Sequence, residues 1–149
     1  MGDVTGGRIV AAARGWIGTP YCHQAAVRGA GADCLGLIRG VWREVIGEEP
    51  EVPPPYSRDW GEMGNDEVLW RSAGRYLLPV SQGAMRAGDV LLFRMRPGAV
   101  AKHLGILGCA GGDAAFVHAY SGHGVVESPL SAPWRRRIAA VFAFPGRGD

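Results

Sequence analysis

One thiol and two imidazoles are the groups in this chain whose types and spacing could do chemistry together. Cys34 stands in GADCLGL (31–37), between an aspartate and an apolar run. His103 opens HLGILGC (103–109), and His118 lies in AAFVHAYS (114–121). A thiol that attacks a carbonyl needs a base for its proton, and the base needs a partner that fixes its tautomer. Cys34 as nucleophile, His103 as base and His118 as orienter would meet that need. Each residue also has an ordinary reading. A free cysteine is most often a small buried hydrophobe, and a single histidine most often a structural residue. His23, just before the cysteine segment, could line a cleft, while His123 in SGHGVVES (121–128) belongs at an exposed turn tip. Zinc is a rival use of Cys34, Cys109, His103 and His118, but no metal-binding spacing is visible. No metal or other cofactor is expected.

The elements around these residues decide whether they can meet. DCLGLIRGVWREVIG reads as a helix starting at Asp33 or Cys34. Its apolar face (Leu35, Leu37, Ile38, Val41, Trp42, Val45, Ile46) is too broad for an exposed helix. Asp33 is a good N-cap and Gly47 a good stop. Cys34 then falls in the first turn, where free amides and the helix dipole favour a thiolate, while Asp33 opposes it. An earlier helix is expected over Val4 to Trp16, ended by GTPY (18–21), and a short one over 66–78. Residues 48–66 hold four prolines and read as a long surface loop.

Strand-like runs follow at 88–95, 103–109, 114–121, 124–128 and 138–145, separated by Gly, Asp and Pro. Helices first and strands later point to an α+β fold, N-terminal helices packed on a C-terminal antiparallel sheet, in a single domain over 1–149. If Cys109 pairs with Ala114, Gly105 faces His118 and His103 faces Tyr120. The two histidines then share a face as diagonal neighbours, ~7–8 Å apart at Cα. A one-residue change would put them on opposite faces.

Composition sets the outer bounds. The chain has 149 residues, 47% hydrophobic and 20% charged, with a net charge of +2, which does not argue for a nucleic-acid partner. Three cysteines, an odd count with no CxxC, exclude a disulfide scaffold. Cys109 alternates with apolar neighbours and reads as core, and Cys22 could approach Cys34. No run reaches the ~18 apolar residues of a membrane span. The first residues carry an early acid and an apolar run broken by Arg8 and Arg14, which does not read as a secretory signal. Synthesis in the cytoplasm with delivery by another route is the expectation. Arg135, Arg136 and Arg137 read as a solvated strand edge or a docking patch for an acidic partner.

In this order GTPY, GADCLGLIRGVWRE, GDVLLF, KHLGILG and FVHA resemble the NlpC-type cell-wall peptidases, over nearly the whole chain from Thr5 to Pro145. The nearest likeness is to compact stand-alone peptidases of phage tails and gene transfer agents. The resemblance implies a papain-like α+β fold and a thiol peptidase acting on peptidoglycan stems, often between γ-D-glutamate and a diamino acid. It implies Cys34 as nucleophile, His103 as base and His118 as the third polar residue. Tyr21 matches the family's PY segment, beside the oxyanion, and Asp33 a position that can hold the amino end of a substrate. The implied partners are the peptidoglycan peptide and neighbouring tail or hub proteins. Leu35 stands where many relatives have serine, and YCHQAAVRGAG replaces their shorter glycine turn. A structural hub part that keeps the fold without activity, and a thiol acyltransferase using an apolar channel, are the rival readings.

Overall fold

The structure is a computed structural model that describes residues 4–51, 53 and 67–147. Most of the proline-rich stretch expected as a loop lies outside the described residues. Helix α1 (Gly6–Arg14) starts at Thr5, whose hydroxyl accepts the Arg8 amide at 3.1 Å. It is shorter than the apolar period suggests, because Trp16 lies in the turn after the helix. A small hairpin, β1 (Ala26–Val27) and β2 (Gly31–Ala32), runs into α2 (Cys34–Val45). Gly47, at φ +140°, stands where α2 ends. Helix α3 (Val68–Tyr76) follows, then β3 (Leu78–Val80), β4 (Val90–Phe93), β5 (His103–Cys109), β6 (Ala115–Tyr120), β7 (Gly124–Pro129), α4 (Ala132–Arg136) and β8 (Ile138–Ala143).

Six strands form one antiparallel sheet in the order β3-β8-β4-β5-β6-β7. This is the expected α+β arrangement, helices on an antiparallel sheet. The hairpin β1–β2, strand β3 and helix α4 escaped the sequence reading. Strand β3 is short and carries Pro79, which an edge strand tolerates because it need not donate on both sides. Arg135 and Arg136 lie in α4 rather than on a strand edge, with Pro133 in the first helical turn.

Strand alternation sorts the side chains into two layers. Val90, Leu92, Leu104, Ile106, Val117 and Ala119 pack under α1 and α2 with Ile9, Trp16, Leu37 and Val41. Leu91, Phe93, Leu107 and Phe116 form the opposite layer, covered by Leu130, Ile138 and Trp134. Helix α2 comes close to Trp16 because residue 40 is glycine: a Cβ there would lie 2.0 Å from the indole Cζ2. The indole Nε1 donates to Glu44 Oε2 at 2.6 Å, so the buried ring also pins the helix rotation.

Candidate active site

Asp33 builds the start of α2. Its Oδ1 accepts the Gly36 amide and its Oδ2 the Gln24 amide, both at 2.7 Å. His23 Nδ1 lies 3.8 Å from Oδ2. One buried carboxylate thus caps the helix, worth ~1 kcal/mol, and clamps the loop ahead of it. Gly36 permits this approach, since a Cβ there would fall 1.8 Å from the Ala25 carbonyl oxygen. Gln24 accepts a left-handed φ of 66° in the same loop.

The GTPY segment ties this loop to the sheet. Gly18 donates to the Val125 carbonyl at 3.0 Å, and Val125 donates back to Thr19 at 2.9 Å. The Ala32 amide then bonds to Pro20 at 3.0 Å, and Cys22 to Ala32 at 3.1 Å. One hydrogen-bonded path therefore runs from strand β7 to the residue before Asp33. Tyr21 is half-buried on this path, bridged to Ala32 and packed against the core, two residues along from Thr19.

The Cys34 thiol is half-buried and donates to the Lys102 carbonyl at 3.9 Å. The Leu104 backbone also bonds to it. The sulfur thus lies against the main chain on both sides of His103. Burial first, then the Asp33 carboxylate, push the thiol pKa up to about 12, against the pull of nearby backbone amides. The helix start does not win, and the resting group is a neutral thiol.

The histidines occupy the sheet face away from α2. The observed register pairs Ile106 with Val117 and Leu107 with Phe116, which continues to Gly105 opposite His118. The assumed pairing of Cys109 with Ala114 is off by one, for Cys109 faces Ala115. A bulge between Leu107 and Cys109 absorbs the extra residue, so the expected diagonal is kept. His103 Nε2 meets His118 Nδ1 at 2.8 Å, and His118 Nε2 meets Ser128 Oγ at 2.9 Å. Gly105 leaves the room: a Cβ there would stand 2.8 Å from the Phe116 ring and 3.3 Å from His118 Cβ.

Aromatic rings wall the pair in. Trp134 lies edge-on to His118 at 5.3 Å and tilted to His103 at 5.8 Å. Phe116 lies 4.2 Å from the His118 ring, and Phe93 and Tyr120 flank the His103 ring at 5.8 and 6.0 Å. Burial, then repulsion from His118 and Lys102, lowers the His103 pKa to about 3. Burial, then His123, lowers that of His118 to about 4. Both rings are neutral at neutral pH. With Nε2 engaged by His118, Nδ1 is the second ring nitrogen of His103.

Sequence reasoning missed Ser128 and Trp134. Ser128 was accessible to it, because β7 pairs Val126 with His118 and alternation puts residue 128 on the same face. Of the other residues considered, His123 is exposed and stacked on Tyr120 at 5.3 Å. All three cysteines are free, with Cys22 exposed. Cys109 is half-buried at a strand end rather than core, its thiol donating to Asp113 at 3.4 Å. Among the described residues, no three His, Cys, Asp or Glu side chains are grouped to hold a metal ion. A mainly apolar cavity of about 500 Å³ lies between α2 and α3, with residues 49–51 on its rim. It reaches the site through Leu35 and Leu104, the neighbours of Cys34 and His103.

N-terminal helices on an antiparallel sheet, with a thiol at a helix start beside the strand that carries His103, define the papain-like fold class. Residues 18–142 match the NlpC/P60 family, and the chain belongs to that family. It is 31% identical over 123 residues to the murein DD-endopeptidase MepS/murein LD-carboxypeptidase of Escherichia coli K12, which covers 82% of this chain. The chain spans about half of that protein, 54% of its length. Its fold is similar to the NlpC/P60 domain of the peptidoglycan hydrolase SagA, with a TM-score of 0.61, 25% identity, and coverage of 95% of this chain and 100% of that one. An NlpC/P60 family protein from Bacillus cereus shares the fold at a TM-score of 0.65 and 16% identity, over 96% of this chain and 41% of that one.

Proposed function

We propose that this domain hydrolyses the peptide stems of bacterial peptidoglycan, at a bond between γ-D-glutamate and a diamino acid. The observation that carries the reading is the Cys34 sulfur held against the backbone flanking His103, whose ring is bonded to His118. The murein and peptidoglycan activities of the two relatives support the substrate class.

In the reaction the S–H proton passes to His103 Nδ1 as the sulfur bonds to the carbonyl carbon. The carbonyl electron pair moves to oxygen, where the Cys34 amide, in the first helical turn, and the Tyr21 hydroxyl stabilise it. His103 then gives its proton to the leaving amine as the C–N bond breaks. Water repeats the sequence on the thioester, returning the thiol. Asp33, the residue before the nucleophile, would receive the substrate's amino end.

Digestion of purified peptidoglycan, with fragments read by mass spectrometry beside Cys34→Ala, tests this. Stem fragments that vanish in the variant uphold the peptidase, and their masses identify the bond. Delivery within a phage-tail-like or gene-transfer-agent particle is part of the same reading. It is supported by the motif set's likeness to the compact peptidases of such particles. Particles purified from the producing cells should contain the chain alongside tail and hub proteins. The apolar cavity beside Leu35 and Leu104 favours one other reading, a thiol acyltransferase. Transfer of an acyl chain to an amine, with intact wall fragments, would select it.

A further inference from the structure

We propose that Ser128 selects the working tautomer of the histidine pair, by accepting a hydrogen bond from His118. The inference rests on His103 acting as base through Nδ1. For that nitrogen to take a proton, neutral His103 must carry its own hydrogen on Nε2. Nε2–H then donates to His118 Nδ1, 2.8 Å away. His118 Nδ1 must in turn be bare, so its hydrogen sits on Nε2 and donates to Ser128 Oγ at 2.9 Å.

The opposite pattern is equally well bonded. There Ser128 donates to His118 Nε2, His118 Nδ1–H donates to His103 Nε2, and His103 Nδ1 holds a hydrogen. Such a ring cannot receive the thiol proton. The two patterns differ only in the direction of three linked bonds, and Ser128 stands at the end where direction is set. Phe116, Trp134, Tyr120 and Phe93 pack around the two imidazole rings, so the hydroxyl of Ser128 is the protein group that meets the outer nitrogen of His118. Ser128 is thus a positioning residue that acts through His118 on His103. In the working pattern Ser128 accepts, with its own hydrogen turned away from the ring, and a carboxylate at 128 could only accept.

Nitrogen NMR on the chain labelled in its histidine rings decides between the patterns, because bare and protonated ring nitrogens resonate far apart. The wild-type chain at neutral pH should show hydrogen on Nε2 of both His103 and His118. In Ser128→Ala a share of both rings should move their hydrogen to Nδ1, with kcat on wall fragments falling about five- to tenfold, as for one neutral hydrogen bond, and KM unchanged. Ser128→Thr should restore both readouts. Ser128→Asp should keep hydrogen on both Nε2 atoms and move the acid limb of kcat upward. Hydrogen on His103 Nδ1 in the wild-type chain, or ring signals in Ser128→Ala identical to wild type, would overturn the proposal. The ring signals are read without substrate, so a chain inactive on every wall would sink the peptidase reading and leave this test intact.

Discussion

The thiol and the imidazoles are held by two regions built on different principles. The imidazoles stand on adjacent strands of a six-stranded sheet, and their meeting is a matter of register. Every backbone group in β5 and β6 that fixes the register also carries the sheet. The thiol depends on a loop, residues 18–33, with a two-residue hairpin, one left-handed glutamine and one buried carboxylate. Its position is fixed by a few contacts at close range: Asp33 to two amides, and Gly36 against Ala25. A sheet distributes an error over many bonds, while a clamp of this kind transmits it to the sulfur. The two regions should therefore fail differently.

The largest effect belongs to the reacting atoms themselves. Cys34→Ala should lower hydrolysis of wall fragments by at least about 10³-fold, and His103→Ala by a similar factor, with the double variant scarcely worse. Such non-additivity marks groups acting as one unit across the two regions. Simple multiplication of the two losses would break the idea of a joint site. Thermal denaturation of Cys34→Ala should stay close to wild type, because only one sulfur is removed.

Substitutions at two glycines set the regions directly against each other. Gly36→Ala puts a methyl where the Ala25 carbonyl oxygen is 1.8 Å away. Backbone must move, and with it the Gln24–Asp33 clamp. A sulfur displaced by ~1 Å can cost 10²-fold in rate, so the activity loss should exceed what the stability loss explains. Gly105→Ala meets a Phe116 ring edge at 2.8 Å, which can tilt, while the Val117 carbonyl at 3.2 Å and His118 Cβ at 3.3 Å need give only a few tenths of an ångström. Here overpacking should cost ~1–3 kcal/mol, with kcat down only about tenfold, as for one loosened hydrogen bond. Equal losses of activity in the two variants would erase the distinction.

How far these regions were legible in sequence follows from the same contrast. Alternation is a short-range rule, so HLGILGC and AAFVHAYS by themselves disclose a shared histidine face. The turn between them was misjudged by one residue, and the bulge at Gly108 made good the error. Ser128 obeys the same alternation and needed only one more strand. Asp33 and Gly47 were legible because capping is local. The pairing of Gly18 and Thr19 with Val125 was not, since more than a hundred residues separate them. Trp134 was hidden by a short helix in an arginine run that read as strand. The cavity depends on how α3 sits over α2, a long-range packing that no period encodes.

Acid should affect the imidazole region before the thiol region. His103 and His118 have folded pKa values of about 3 and about 4, both below the ordinary 6.5. The unfolded chain therefore binds more protons between those limits, and stability falls as pH drops from 6.5 through 4. At pH 5 each ring contributes a loss of about 2 kcal/mol relative to neutral pH, before any coupling between them. Denaturant melts at pH 7 and pH 5 measure the sum. His118→Gln should flatten the dependence by about half, and an unchanged slope would mean that another group carries it.

The thiol region has its own pH signature, smaller but more pointed. Burial and Asp33 hold the Cys34 pKa at about 12, so the resting pair is thiol and imidazole, with no ion pair between them. Alkylation by iodoacetamide follows the thiolate fraction. In a Cys22→Ser, Cys109→Ser background its rate at Cys34 should rise about tenfold per pH unit through pH 10 without a plateau. A plateau near neutrality would instead reveal a thiolate stabilised by a protonated His103. The two regions would then be joined by charge before substrate arrives, and the proton would already have crossed from one to the other. Asp33→Asn separates the causes within the thiol region. The amide oxygen can still cap Gly36, but the negative charge is gone, so the curve should shift to lower pH with the helix start intact. The shift should be modest, because burial is the larger cause and remains.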